Sequence, residues 1–158
     1  MINMKTEKII FAAGCFWHVQ AAFKEVKGVV KTTVGYCGGC MRNPTYKDVC
    51  RSETGHAEAV LVEFDSSKVS FEELLQVFWK IHNPTQTNRQ GPDIGTQYRS
   101  MIFYFSDNQK KAAEKSLKKE QKNHINKIAT EISSVPEFYP AEEYHQDYYE
   151  KHGKTCRI

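Results

Sequence analysis

Apolar residues switch between two spacings along this chain, and the switches lay out its elements. Residues 8–13 carry a continuous apolar run, Ile9-Ile10-Phe11-Ala12-Ala13, of a length that suits a buried strand. Over residues 15–26 the spacing becomes helical, with Phe16, Val19, Phe23 and Val26 on one face and Gly28 as the stop. Residues 29–36 are rich in β-branched side chains and predict a second strand, and residues 57–64 predict a third. Between these two, residues 37–55 hold glycines, Asn43-Pro44 and no sustained period, which predicts a loop. Ser70 with Glu73 three residues on has the arrangement of a capping box. It opens a helix with Phe71, Leu74, Leu75, Phe78 and Ile81 on its apolar face. Residues 83–96 form a second irregular stretch, punctuated by Gly91-Pro92 and Gly95. Residues 97–105 predict a fourth strand, Asp107 caps a lysine-rich helix to about His124, and residues 127–133 predict a fifth strand. Pro140 fits the first turn of a last helix running through Glu150.

The order strand–helix–strand, strand–helix–strand, then extras predicts an α+β fold, a ferredoxin-like α/β sandwich with C-terminal extensions. The 158 residues are expected to form a single domain, 1–158. A chain of this size buries about two-thirds of its unfolded surface and needs no disulfide staples. Aromatic residues are abundant, with eight Tyr, nine Phe and two Trp. The net charge of +3 is too small to argue for nucleic acid without a groove-reading motif. Lys110, Lys111, Lys115, Lys118, Lys119 and Lys122 read as the solvated face of a helix. The N-terminal apolar run is too short for a signal peptide, and no stretch approaches bilayer length, so no membrane partner and a reducing, cytoplasmic location are expected. In that setting the five cysteines, Cys15, Cys37, Cys40, Cys50 and Cys156, are catalytic, metal-binding or buried thiols rather than a disulfide framework.

Cys15 follows a predicted strand and Gly14 and opens a helix. Unpaired backbone N–H groups and the positive helix end there favour a thiolate, although a buried, inert cysteine accounts for the position equally well. Glu58 lies in the otherwise apolar run Ala57-Glu58-Ala59-Val60-Leu61-Val62. Buried, it would have a raised pKa and donate a proton near neutral pH; alternation alone favours a Glu58 that faces solvent. Both irregular stretches are dense in polar residues, around Asn43-Pro44-Thr45-Tyr46 and from Asn88 to Tyr98 through Asp93. Long unstructured loops in small domains are often functional, while any single Tyr or Asp there also reads as a turn residue. Cys37-Gly38-Gly39-Cys40 is a C-x-x-C pair. The nearest further ligands, Cys50 and His56, match no common zinc spacing, so a redox pair or spectator thiols is the stronger reading. A disulfide oxidoreductase built on Cys37 and Cys40, or a zinc-binding interaction module, are the rival functions.

Gly14-Cys15-Phe16-Trp17 resembles the signature of the A-type peptide methionine sulfoxide reductases. Further blocks follow in that family's order: Gly35-Tyr36, Gly38-Gly39, Asn43-Pro44-Thr45-Tyr46, Val49-Cys50 and Thr54-Gly55-His56-Ala57-Glu58. Then come Phe78-Trp79, His82, Pro84-Thr85, Asn88-Arg89-Gln90-Gly91, Asp93, Gly95 through Ser100, and Ala141-Glu142-Glu143-Tyr144-His145-Gln146. The resemblance spans residues 11–148. It implies Cys15 as nucleophile and Glu58 as acid, with Tyr46, Asp93 and Tyr98 holding the sulfoxide oxygen and Phe16 and Trp17 the methyl group. It also implies action on the S epimer of methionine sulfoxide, free or in proteins, with no bound cofactor or metal and with thioredoxin or a similar dithiol as reductant. A monomer is expected. His18 and Gln20 depart from the family's usual Gly and Glu, Asn83 and Pro92 from its Asp and Asn, and Cys37 and Cys40 look like additional thiols. Several members recycle through a C-terminal cysteine. Here that residue is Cys156, beyond a Gly153 that can end the last helix and between Lys154 and Arg157, which favour its thiolate. Cys156 is thus expected to resolve the oxidised Cys15, with Cys37 or Cys40 acting first or as a relay in the alternative. Cys50 reads as a packed structural residue.

Overall fold

The computed structural model describes residues 5–51 and 54–153. Its elements are β1 (Thr6–Ala13), α1 (Phe16–Lys24), β2 (Val29–Cys37), α2 (Tyr46–Cys50), β3 (Ala57–Asp65), α3 (Phe71–Lys80), β4 (Arg89–Gln90), β5 (Asp93–Ile94), β6 (Ser100–Tyr104), α4 (Asp107–Gln121), β7 (Glu131–Ser134), β8 (Phe138–Pro140) and α5 (Tyr148–His152). Thr96–Tyr98 and Glu143–His145 are single 3₁₀ turns. Six strands form one mixed sheet in the order β7-β6-β1-β3-β2-β8, and β4 and β5 make a separate two-stranded ribbon. All neighbours in the large sheet are antiparallel except β6 and β7. Among the described residues no helix is long and apolar enough to cross a membrane.

β1 lies between β3 and β6, and the pleat sends its side chains to two different cores. Ile9, Phe11 and Ala13 join the larger cluster beneath the helices, with Val60, Val62 and Phe64 of β3. Phe11 stacks there on Phe23 of α1 at 4.8 Å and on Phe78 of α3 at 5.0 Å. Ile10 and Ala12 point the other way, into a smaller cluster with Cys37, Ala57, Ala59, Met101 and Phe103. A strand covered on both faces reads as a continuous apolar run, which is why its pattern lacked alternation. α3 begins where expected, with the Ser70 hydroxyl accepting from the Glu73 amide at 3.1 Å.

Four local expectations are corrected. The stretch 37–55 contains α2, capped by a reciprocal pair in which Thr45 accepts from the Asp48 amide and Asp48 accepts from the Thr45 amide. α4 is capped by Ser106, which accepts from the Gln109 amide at 3.2 Å, one residue before Asp107. The strand expected from Gln97 begins at Ser100, because Thr96–Tyr98 tightens into a turn first. Pro140 does not open a helix. It ends β8, opposite Gly35 of β2. Proline suits the end of an edge strand, where no ladder hydrogen bond is asked of its nitrogen. The last helix is confined to α5.

β8 approaches β2 closely at Gly35: a Cβ there would sit 2.4 Å from the Tyr139 carbonyl oxygen and 2.5 Å from the Phe138 ring. Gly35→Ala is therefore expected to cost about 1–3 kcal/mol, the usual penalty of overpacking, measured by urea unfolding. Hydrogen exchange should quicken over residues 138–146 more than in β1. Unchanged stability and protection would contradict this packing.

Candidate active site

β1 runs out at Ala13, and Gly14 turns the chain at φ 93°, a conformation glycine adopts without strain. A Cβ at Gly14 would lie 2.9 Å from the Gln90 side chain, so the turn also needs the room. It delivers Cys15, half-buried, as the N-cap residue of α1. The Cys15 carbonyl accepts the amides of His18 and Val19 at 3.2 and 3.3 Å. The amide of Phe16 turns instead to Glu58 and donates to Oε1 at 3.2 Å. The expectation that Cys15 sits at the positive end of a helix is met.

Glu58 is 2% exposed, which overturns the solvent-facing reading. Both faces of β3 are covered, with Val60, Val62 and Phe64 in the core beneath the helices and Ala57 and Ala59 in the smaller cluster on the other side, so its alternation carries no solvent signal. Burial pushes the Glu58 carboxyl up to about 8; the Phe16 N–H opposes this, and the neighbouring Asp93 adds to it. Its second oxygen, Oε2, is buried without a hydrogen-bond partner among the described residues. A carboxyl in this state is neutral at pH 7 and carries a proton.

The remaining polar candidates gather around this carboxyl. Tyr46 opens α2, and its ring lies 6.5 Å from that of Phe16, nearly parallel to it. Tyr98 closes the turn Thr96–Tyr98, and Asp93 lies on β5. Burial first, then the Glu58 charge, raise the pKa of Tyr98; for Tyr46, burial and a hydrogen bond to the Cys50 side chain come before Glu58. Both phenols therefore stay protonated as donors. Burial also raises the pKa of Asp93. Cys15 and Asp93 both act on Tyr98 electrostatically. The fold thus brings Cys15, Tyr46, Glu58, Asp93 and Tyr98 to one end of the sheet.

Two aromatic rings wall this end. Phe16 is fully buried beside Tyr36 at 5.8 Å. Trp17 lies flat on Tyr148 at 3.8 Å and 8°. The segment after β8 holds them. Glu142 Oε1 accepts from the Tyr36 hydroxyl at 2.8 Å and Oε2 from the Tyr46 amide at 3.0 Å. His145 Nδ1 accepts from the Trp17 indole at 3.0 Å. Glu142 and His145 lie in the Ala141–Gln146 block, and the sequence alone assigns them no role. Their signal is an acid and an imidazole three residues apart in an aromatic-rich segment, which gains meaning only beside Tyr36, Tyr46 and Trp17. Gln20 is equally informative. Its amide donates to the Thr32 carbonyl at 3.3 Å and accepts from the Asp147 amide at 2.8 Å. A carboxylate could not do both.

The other described thiols differ in burial. Cys37 is fully buried on the sheet face opposite Tyr36 and Glu58, and burial pushes its thiol up to about 12. Cys40 is exposed, with its amide bonded to the Thr54 carbonyl at 2.9 Å. Cys50 is exposed rather than packed. Cys156 lies outside the described residues. His56 accepts from the Gly39 amide at Nδ1 and so donates to the Met41 carbonyl at Nε2, which leaves no lone pair for a metal.

The model of the peptide methionine sulfoxide reductase family matches residues 7–158. A peptide methionine sulfoxide reductase MsrA of Methanosarcina acetivorans is 58% identical over 149 residues, 93% of this chain and 79% of its own. Reduced Mxr1 of Saccharomyces cerevisiae superposes with a TM-score of 0.92 at 38% identity, covering 97% of this chain and 89% of that one. Mxr1 in complex with Trx2 superposes with a TM-score of 0.67 at 28% identity, covering 94% and 90%. A half-buried cysteine at a helix start, a neutral buried carboxyl beside it and these relatives all agree, and the chain belongs to the A-type peptide methionine sulfoxide reductases.

Proposed function

We propose that this site reduces methionine S-sulfoxide, free or in proteins, with Cys15 as nucleophile and Glu58 as proton donor. The observation that carries this is the buried, neutral Glu58 bonded to the amide next to Cys15. The Cys15 thiolate attacks the sulfoxide sulfur while Glu58 protonates its oxygen, which is a poor leaving group as an anion. The oxygen passes to Cys15, methionine leaves reduced by two electrons, and Cys15 is left as a sulfenic acid. Tyr46 and Tyr98, protonated and close to Glu58, stabilise the charge that develops on oxygen, and Asp93 completes the polar cluster. Phe16 and Trp17 receive the methyl group.

A second thiol then attacks the sulfenic acid and expels water to form a disulfide, which an external dithiol opens by exchange. We assign the second thiol to Cys156. The exclusion of Cys37 from the site face and its raised pKa support this over a relay through Cys37, and the exposure of Cys40 leaves it the secondary choice. Thioredoxin is the reductant favoured by the Mxr1 complex with Trx2. We further read the strand order β6-β1-β3-β2, joined by α1 and α3, as a ferredoxin-like core extended by β7 and β8 within one domain. A cytoplasmic monomer suits this reading.

Three outcomes are expected. In Glu58→Gln the single-turnover rate should drop about 10²–10⁴-fold, the usual range for losing a general acid. The parent rate should fall as pH rises through about 8, where Glu58 loses its proton; a near-normal rate in the variant at pH 7 removes Glu58 from the chemistry. The same shift acts on stability. The folded-state pKa lies above the unfolded value of about 4.3, so the contribution is complete below that pH and is lost as pH rises through about 8. Thermal unfolding should accordingly show Glu58→Gln gaining on the parent as the pH increases, and a constant difference would contradict a buried neutral acid. Finally, enzyme oxidised by one equivalent of sulfoxide without reductant should yield a Cys15–Cys156 peptide by mass spectrometry. A Cys15–Cys40 link with Cys156 still alkylatable overturns the assignment.

A further inference from the structure

His145 is buried in the middle of the aromatic wall, 1% exposed, and the chemistry above makes no use of it. Its ring lies 5.2 Å from Phe16, 5.6 Å from Trp17, 4.4 Å from Tyr46 and 4.1 Å from Tyr144. An indole nitrogen only donates, so the 3.0 Å bond from Trp17 requires a bare Nδ1 and puts the imidazole proton on Nε2. That Nε2 is buried with no hydrogen-bond partner among the described residues. Burial lowers the pKa of the ring, which keeps it neutral, while the nearby Glu142 works the other way. Neutrality matters, because a protonated imidazole would turn Nδ1 into a donor facing another donor.

We propose that His145 is a positioning residue for substrate binding: in its Nε2–H tautomer it holds the Trp17 indole flat, as the rigid wall that receives the substrate methyl group. The inference rests on the reading of Phe16 and Trp17 as that wall. Two contacts fix the indole from different directions. Tyr148 stacks on its face, and His145 takes up its N–H. A stack alone leaves the ring free to slide or turn over in its plane, whereas the hydrogen bond sets which edge points inward. His145 is itself fixed by the Glu143–His145 turn, whose neighbour Gln146 is tied to β2 by a pair of bonds with Val34, at 3.0 Å each. The methyl pocket is in this way referenced to the sheet that carries Glu58. Without an acceptor, the half-buried indole N–H is left unpaired and the ring moves to find another, at the cost of the pocket's shape.

The test compares His145→Phe, which keeps a ring but no acceptor, with His145→Gln, which can accept from Trp17, and with Trp17→Ala, which removes the wall. Single-turnover rates are measured over a range of concentrations of a methionine-sulfoxide peptide, with thermal melts to confirm folding. His145→Phe should raise the half-saturating concentration about tenfold, roughly one buried hydrogen bond, and leave the saturating rate within about threefold. His145→Gln should restore most of the binding. Failure of His145→Gln to restore it, or unchanged binding in His145→Phe while Trp17→Ala weakens it, overturns the role of His145 and leaves the methyl-pocket reading intact. No effect of Trp17→Ala on binding overturns both. The nitrogen-15 spectrum of the parent enzyme needs no variant: it should show a bare Nδ1 and a protonated Nε2 on His145, and the opposite tautomer defeats the inference.

Discussion

A single buried hydrogen bond, from the Phe16 amide to Glu58, is the contact on which the site depends. It joins the first turn of α1 to the central strand β3 and sets the distance between a thiol-bearing turn and a carboxyl group. The carboxyl is tolerated in the interior because it is neutral. A carboxylate in this position would be charged in a low-dielectric setting with only one donor in contact, so the equilibrium moves toward the protonated form instead. The same burial that would make a charged Glu58 a liability to folding keeps its proton in place near neutral pH. Gly14 serves that geometry, since any side chain there would meet Gln90 and push the turn away from β3.

The second constraint comes from the C-terminal segment, which closes the site from outside the sheet. β8 pairs with β2, and the chain beyond it stays in contact through side chains. Gln146 extends the pairing by exchanging hydrogen bonds with the Val34 backbone, in the manner of one further strand residue. Glu142 then grips Tyr36 and the start of α2, His145 takes Trp17, and Gln20 and Lys24 of α1 reach Asp147. Because Lys24 and Asp147 are well exposed, their ion pair adds little, and the buried amide bonds and the aromatic stack carry the attachment. The candidate site is thus assembled from β1, β3, α2 and a late strap. Gly153 lines the same surface pocket as Trp17 and Tyr148.

Much of this was legible along the chain. The apolar run of β1, the Ser70 cap of α3 and the turn at Gly14 are local, and local steric and hydrogen-bonding preferences decide them. The helical start at Cys15 followed from the same reasoning. Where local signals failed, distant contacts had outweighed them. Pro140 had the look of a helix opening, yet the space over Gly35 drew residues 138–140 into an edge strand. α2 was hidden because five residues are too few to show a period, although the Thr45–Asp48 cap was there to be read.

The residue types and their order determined which groups were available: a thiol at a helix start, an acid in an apolar strand, phenols in two irregular stretches, and a chain of blocks shared with one family. The tertiary structure alone decided their states. Whether Glu58 meets water depends on the packing over β3, where Phe16 at the start of α1 is brought onto its carboxyl from 42 residues away. Whether Cys37 belongs to the site depends on which side of the pleat it takes, and its immediate neighbour Tyr36 takes the other face. The tautomer of His145 depends on an indole 128 residues away. Burial, pKa and tautomer are properties of a residue's surroundings, and only the folded chain supplies those.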